Sequence, residues 1–289
     1  MGLAVREILK IGENRLTDAG CSNPKIDAEL LYCHMMSLDR DKLFMHWGET
    51  ISDHLCSCYF ELLDVRASGK PLQYITGFQE FMGIRMAVDE NVLIPRQETE
   101  LLVERALSVI AESRKKTKRT LDLCTGSGAV AVSIAAQARD AEVTASDVSA
   151  EALAVAEKNA AAANVKVSFR RGDLFEPFAK RFGRTAKFDV ITANPPYIKT
   201  DMIRSLQREV RDFEPMLALD GGEDGLFFYR KIVSQAPSYL AKNGVMLLEI
   251  GFDQAEAVGL LACEAGAYRD IEIVRDLAAL DRIVILRKA

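Results

Sequence analysis

A chain of 289 residues with 49% hydrophobic composition carries enough apolar side chains for one large core or two unequal ones, which excludes a disordered or fibrous class. Its formal net charge of −5 argues against wholesale nucleic-acid binding, whose domains are as a rule basic. No apolar run reaches the roughly 18 to 20 residues that span a bilayer, so no membrane association is expected and the location read from the sequence is cytoplasmic.

In chain order, residues 1–16 read as an amphipathic helix rather than a signal peptide, because Arg6, Glu7, Lys10, Glu13 and Arg15 interrupt the apolar positions. Gly2 follows Met1, but the myristoylation pattern needs Ser or Thr at the sixth position and meets Arg6. Helical periodicity continues through Ala28, Leu31 and Cys33, and again through Leu55, Tyr59, Leu62 and Leu63, with breaks at Asn23-Pro24 and at Ser68-Gly69-Lys70-Pro71. The spacing predicts a helical domain over 1–80, a hairpin linker over 81–100 with extended segments at 81–88 and 92–94, and a second domain over 101–289. The six cysteines show no C-x-x-C spacing and read as reduced thiols. His34, His46 and His54 have no cluster of partners and read as ordinary residues, so no metal is expected.

From residue 120 the pattern alternates: strands at 120–123, 142–146, 165–169, 188–193 and 245–249 are separated by helical stretches at 129–138, 150–163 and 226–240. A helix at 254–265 and strands at 271–274 and 283–286 follow. Alternation of this kind predicts a Rossmann-like α/β fold, a seven-stranded, mostly parallel sheet whose last two strands form an antiparallel edge. The basic run Arg114-Lys115-Lys116-Thr117-Lys118-Arg119 precedes the first strand. Its ordinary reading is a solvated connection, and an RNA contact is the sharper alternative.

The first strand of the sheet runs into Cys124-Thr125-Gly126-Ser127-Gly128 and then an alanine-rich helix, so glycines fall where backbone approaches a ligand closely. The third glycine of the dinucleotide fingerprint is absent. Asp147 ends the second strand, where a carboxylate can accept from both hydroxyls of a ribose; its plain alternative is a helix cap or turn residue. Asp173 follows the third strand, placed to accept from an adenine amino group with Leu174 beside the ring, and has the same plain alternative. This pattern resembles the class I methyltransferases, which implies S-adenosyl-L-methionine as cofactor and S-adenosyl-L-homocysteine as product, with Asp122 holding the loop or approaching the methionine amino group.

The fourth strand ends in Asn194-Pro195-Pro196-Tyr197. Strand carboxyl ends are where such sheets bind ligands, and two consecutive prolines fix φ while removing two N–H donors. A planar amide nitrogen attacks a methyl group poorly because its lone pair is delocalised. The side-chain oxygen of Asn194 and the carbonyl of Pro195 can accept its two N–H groups, drawing the lone pair outward without a carboxylate base. Tyr197 would stack on the planar group and exclude water, and Pro196 counts with it among the residues expected to bind the substrate.

Pro71-Leu72-Gln73-Tyr74-Ile75-Thr76-Gly77, Leu93-Ile94-Pro95-Arg96-Gln97-Glu98-Thr99-Glu100 and Phe213-Glu214-Pro215 with Ala218-Leu219-Asp220-Gly221-Gly222, taken with Asn-Pro-Pro-Tyr, closely resemble the release-factor glutamine methyltransferases of the PrmC or HemK type. The resemblance implies N5-methylation of the glutamine in the Gly-Gly-Gln motif of class I peptide-chain release factors, hence a role in translation termination. It also implies that the helical domain helps hold the factor and that Arg96 lies near the substrate mouth, an interdomain ion pair being the alternative. A ribosomal-protein glutamine methyltransferase is the runner-up. A DNA or RNA adenine N6-methyltransferase would need a broad basic face that the composition lacks, so no DNA partner is expected. Three positions depart from the family pattern. Cys124 stands for glycine, without consequence if its φ is negative; Gln97 stands for proline and Ala279 for glycine, which leaves those loop geometries open.

Overall fold

The computed structural model describes residues 3–179 and 186–289; Met1, and with it the Gly2 position weighed for a lipid anchor, lies outside the described residues. The chain divides into two compact units, Met1–Phe78 with Gln207–Phe213, and Gln79–Leu206 with Glu214–Ala289.

The first unit holds α1 (Val5–Asp18), α2 (Pro24–Met36), α3 (Asp53–Ala67), α4 (Leu72–Thr76) and the short helix Arg208–Phe213. On α1 the residues Val5, Ile8, Leu9, Gly12 and Leu16 are buried, the one-face spacing of an amphipathic helix. Pro24 opens α2 at a position whose N–H has no helical partner, and the Ser52 hydroxyl caps α3 by accepting from the Leu55 N–H. Buried Tyr59 donates to the Ala28 carbonyl at 2.9 Å. A Cβ on Gly12 would come within 2.4 Å of the Tyr59 hydroxyl, so the absence of a side chain there admits the phenol between α1 and α2. Arg66 is buried, with Nε donating to Asp27 at 2.8 Å and Nη2 to Glu209 at 2.5 Å. Desolvating a guanidinium is costly unless both partners stay in place.

The second unit, from Gln79, opens within a hairpin of β1 (Phe78–Phe81) and β2 (Ile84–Ala87), joined by Met82 and Gly83, both at positive φ. The expected extended segments at 81–88 and 92–94 are therefore misplaced. A type I′ hairpin turn has positive φ at both central positions, and a methionine at the first hides the usual Asn-Gly signal. Next come α5 (Gln97–Glu112), β3 (Lys118–Leu123), α6 (Ala129–Gln137), β4 (Ala141–Asp147), α7 (Ala150–Ala162), β5 (Val167–Arg171), β6 (Phe188–Ala193), the helix Phe227–Gln235, β7 (Leu240–Glu249), the helix Ala255–Ala265, β8 (Tyr268–Arg275) and β9 (Asp281–Lys288).

β3, β4, β8 and β9 begin one to three residues earlier than expected, and two further starts differ for a reason readable in the chain. Asn164 sits at φ 54° and the Val165 N–H donates back to Ala160, so Val165 belongs to the C-terminal cap of α7 and β5 starts at Val167. Pro237 stops the regular helix at Gln235, and β7 then begins at Leu240.

The sheet order is β5-β4-β3-β6-β7-β9-β8; the first five strands run parallel, and β9 is antiparallel to both β7 and β8. Side chains alternate between its faces: Leu121, Leu123, Ile191, Met246 and Leu248 join one buried core, while Val143, Val190, Val245 and Leu247 join the other. From β3 the chain first builds outward through β4 and β5 and then returns to the other side with β6. That reversal opens a crevice at the carboxyl ends of β3 and β6.

The basic run ahead of β3 is largely engaged. Lys115 pairs with Asp189, Lys118 is buried as the first residue of β3 and pairs with Asp140, and the Arg119 guanidinium lies 5.3 Å from the Phe188 ring centre.

Candidate active site

A cavity of about 500 Å³ opens at the crevice between β3 and β6. Its wall takes Cys124, Thr125, Gly126 and Ser127 from the loop after β3, Asp147 from the end of β4, Asp173 and Leu174 from the turn after β5, Asn194 and Pro196 from the turn after β6, and Arg96 from the start of α5. Gly128, Pro195 and Tyr197 lie outside that wall.

The loop is built by two carboxylates. Asp122, 1% exposed, accepts from the hydroxyls of Thr125 at 2.6 Å and Thr192 at 2.7 Å, tying β3, its loop and β6 together. Burial pushes the Asp122 carboxyl up to about 7, against the pull of the two threonine hydroxyls, and nearby Asp147 adds to the rise. Asp147 accepts from the Gly126 N–H at 2.9 Å through one oxygen and from the Ser149 N–H at 3.0 Å through the other. It thus fills the turn role weighed for it while facing the cavity, and burial raises its carboxyl despite those bonds. Gly128 caps α6 at φ 79°, and a Cβ there would meet Ala156 at 2.9 Å, so this glycine serves the approach of α6 to α7.

Cys124 has φ 55°, in the left-handed region, which overturns the condition under which its replacement of glycine was without consequence. A side chain costs roughly 1 to 2 kcal/mol in that conformation. Burial pushes its thiol well up, with Asp147, Asp122 and Asp173 adding to the rise, so the group is a neutral thiol and no nucleophile. Gln97 is the first residue of α5, a position where proline is tolerated because its N–H needs no helical partner, so either residue fits the start of this helix. Ala279 sits at φ 60° in the β8–β9 turn, between two N–H groups, of Ala278 and Leu280, that donate to Asp276.

Asp173 is half-exposed and lies 3.4 Å from the Lys231 ammonium, which itself stands 4.5 Å from the centre of the Phe227 ring. Leu174 beside it is buried at φ 48°. Arg96 donates to Glu214 at 2.6 Å; both belong to the second unit, so the pair is not an interdomain bridge.

The turn after β6 is braced from behind. Ile198 bridges to Asp220 in parallel register, and a Cβ on Gly221 would lie 2.7 Å from the Tyr197 Cα, so only glycine lets the Asp-Gly-Gly backbone lie against the turn. Gln254 donates to the Tyr197 carbonyl at 3.0 Å. Tyr197 packs against the buried core beneath the sheet, and burial pushes its hydroxyl up to about 12, with Glu249 adding to the rise.

Two residues that sequence reasoning did not single out adjoin Asn194. Its amide nitrogen donates to the Thr99 hydroxyl at 3.3 Å. In the register Ala193 stands opposite Leu248, so Asn194 and Glu249 leave the sheet side by side. Glu249 is 1% exposed, and burial pushes its carboxyl up to about 7 against hydrogen bonds from Thr99 and Asn194 and the charge of Arg282, with Glu98 adding to the rise. A carboxylate closing an apolar strand run at the level of the Asn-Pro-Pro-Tyr turn was the available signal.

Residues 7–77 match the family model described as PrmC N-terminal domain, and residues 97–212 the one described as Methyltransferase small domain. Among solved structures, a methyltransferase from Pyrococcus furiosus covers 72% of this chain and 90% of its own at 17% identity and a TM-score of 0.52. The hMettl16 catalytic domain, in complex with MAT2A 3′UTR hairpin 6, covers 78% and 81% at 13% identity and a TM-score of 0.54. These two likenesses are of fold, the α/β fold of class I methyltransferases. Curated relatives carry the name release factor glutamine methyltransferase, among them three from different bacteria. The Thermodesulfovibrio yellowstonii protein is 42% identical, covering 91% of this chain and 92% of its own. Those of Clostridium acetobutylicum, covering 90% of each chain, and Moorella thermoacetica, covering 97% of each, are both 40% identical. Likeness at that level runs through the helical region as well as the sheet, and the chain belongs to the release factor glutamine methyltransferase family.

Proposed function

We propose that this protein transfers the methyl group of S-adenosyl-L-methionine to the side-chain nitrogen of the glutamine in the Gly-Gly-Gln motif of class I peptide-chain release factors, and that it does so in the cytoplasm. The observation that carries the reading is Asn194. It lines the cavity beside the glycine loop with its amide nitrogen committed to Thr99, which leaves the side-chain oxygen to accept an N–H of a bound amide.

The cavity suits the cofactor in size and donor set. The bound cofactor would supply an electrophilic methyl on a sulfonium. Gly126 brings main chain to the wall without a side chain, Asp147 offers remaining lone pairs to a ribose, and Asp173 with Leu174 offers a carboxylate and an apolar face to an adenine. Asn194 Oδ1 would accept one N–H group of the substrate amide from the wall, and the Pro195 carbonyl, although Pro195 does not line the wall, is proposed to accept the other as the amide enters, interactions that strengthen as its nitrogen becomes positive. Pro196 supports the turn from the cavity wall, Tyr197 holds its far end, and Arg96 stands at the mouth with its charge shared by Glu214. The helical unit is proposed to hold the release factor.

Incubation of the protein with methyl-labelled S-adenosyl-L-methionine and, separately, release factor, ribosomal proteins and DNA tests the reading. Label is expected in release factor and is expected to vanish when the motif glutamine is replaced by alanine. Label confined to ribosomal protein or to DNA overturns it.

A further inference from the structure

We propose that Glu249, acting through Thr99, is a positioning residue that decides which end of the Asn194 amide faces the substrate. The proposal rests on the reading of Asn194 as the acceptor of a substrate N–H.

The oxygen and nitrogen ends of an asparagine amide are nearly equal in size, so the shape of a site does not choose between them and only hydrogen-bond partners do. Here the choice has consequences. With Oδ1 outward, Asn194 accepts from a substrate amide; with the nitrogen outward, it sets donor against donor.

The partners come from two neighbouring elements. Thr99 lies in the first turn of α5, 5% exposed, and Glu249 closes β7 next to Asn194. An ionised carboxylate only accepts. Thr99 and Asn194 both favour the ionised form of Glu249 as hydrogen-bond donors close to its carboxylate, and Asn194 Nδ2 donates to Thr99 Oγ1 at 3.3 Å. The threonine has one hydroxyl proton. Once that proton is given to Glu249, Thr99 can only accept from the amide. Both partners then demand the nitrogen end, and Oδ1 is left for the cavity.

Protonation of Glu249 reverses this logic, because a carboxylic acid donates. It can give its proton to Asn194 Oδ1, and the amide that turns to take it presents N–H groups outward. The site is arranged for that event to fall within a workable range. Glu249 Oε2 is buried with no hydrogen-bond partner among the described residues, and burial pushes the acid up to about 7. The groups facing it are Glu98 on α5, which raises it further, and Arg282 on β9, which opposes the rise while paired with Asp276 at 2.9 Å. Tyr197 after β6 and Tyr229 on the helix Phe227–Gln235 also face it as neutral phenols, and Tyr229 donates to the Glu249 main-chain carbonyl at 2.8 Å.

The test combines a pH series with a readout independent of turnover. In the wild-type protein the side-chain NH₂ resonance of Asn194 is expected to titrate with a midpoint near 7, and kcat for methylation of release factor is expected to fall on the acid side of the same midpoint. Glu249→Gln, which can donate as well as accept at any pH, is expected to abolish that titration and flatten the acid limb. It should lower kcat about tenfold or more while leaving S-adenosyl-L-homocysteine affinity within about twofold. Thr99→Val should lower kcat with the same cofactor affinity, and Thr99→Ser should restore it. Should E249Q fail to fold, the Thr99 pair decides alone. An Asn194 resonance that titrates unchanged in E249Q, or Thr99→Val with wild-type kcat, overturns the proposal. A wild-type protein whose Asn194 resonance titrates but which leaves release factor unlabelled overturns the substrate reading and not this one.

Discussion

Asp147 Oδ2 accepts the Gly126 N–H at 2.9 Å, so the carboxylate that ends β4 holds the glycine of the loop that follows β3. One side chain thus serves both the shape of the cavity and the proposed contact with a ribose. Asp147→Ala should weaken S-adenosyl-L-methionine binding by more than about tenfold in calorimetry, the equivalent of one charge-assisted hydrogen bond. Asp173→Ala should weaken it less, because that carboxylate is half-exposed and shares its charge with Lys231.

Asn194→Ala deletes one acceptor for the substrate amide without touching the loop after β3. Turnover is expected to fall on the order of 10² to 10³ while cofactor binding stays near that of the wild type. Undiminished methylation in this variant would mean that the amide is oriented by other groups.

The pH dependence of stability should show two of the buried acids. Asp122 and Glu249 each have a folded-state pKa of about 7, well above that of an ordinary carboxyl. Folding therefore favours their protonated forms. Their contribution is fully present below about pH 4 and is lost as pH rises through about 7. A Tm series should show this decline between those limits, smaller in Asp122→Asn. A decline of equal size in Asp122→Asn would assign it elsewhere. Asp224 has the opposite sign: the Arg230 side chain holds it at about 2, and its stabilisation disappears only below about pH 4.

Ala279→Gly should raise stability by up to about 1 kcal/mol in urea titration, since glycine removes the penalty of φ 60° in an exposed turn. Cys124→Gly removes the same kind of penalty at φ 55° but also discards a side chain packed against the core, so its gain should be smaller or nil. Equal gains at both positions would show that the thiol packs to no effect.

The parallel sheet, the glycine loop and the Asn-Pro-Pro-Tyr turn were legible because each is local: an apolar run of strand length, then residues whose backbone demands differ from those of a strand. The hairpin was misplaced because Met82 occupies a positive-φ position that asparagine or glycine usually marks. The start of β5 was misread because Val165 is apolar for a helix cap and not for a strand. Thr99 and Glu249 were not legible as a pair. They stand 150 residues apart, and only the side-by-side endings of β6 and β7 and the packing of α5 bring them to Asn194. Cys124 shows the reverse case, in which the residue was noticed but its backbone angle was not readable from its type.

The route of the chain through Gln207–Phe213 bears on how this protein can be divided. The helical unit is not one contiguous stretch, because Glu209, a partner of buried Arg66, arrives from beyond the Asn-Pro-Pro-Tyr turn. A fragment ending at residue 78 keeps Asp27 and loses Glu209, leaving a buried cation half-neutralised. Recombination that exchanges this unit between relatives at a single crossover would separate the two partners. An exchange that carries both segments keeps them together.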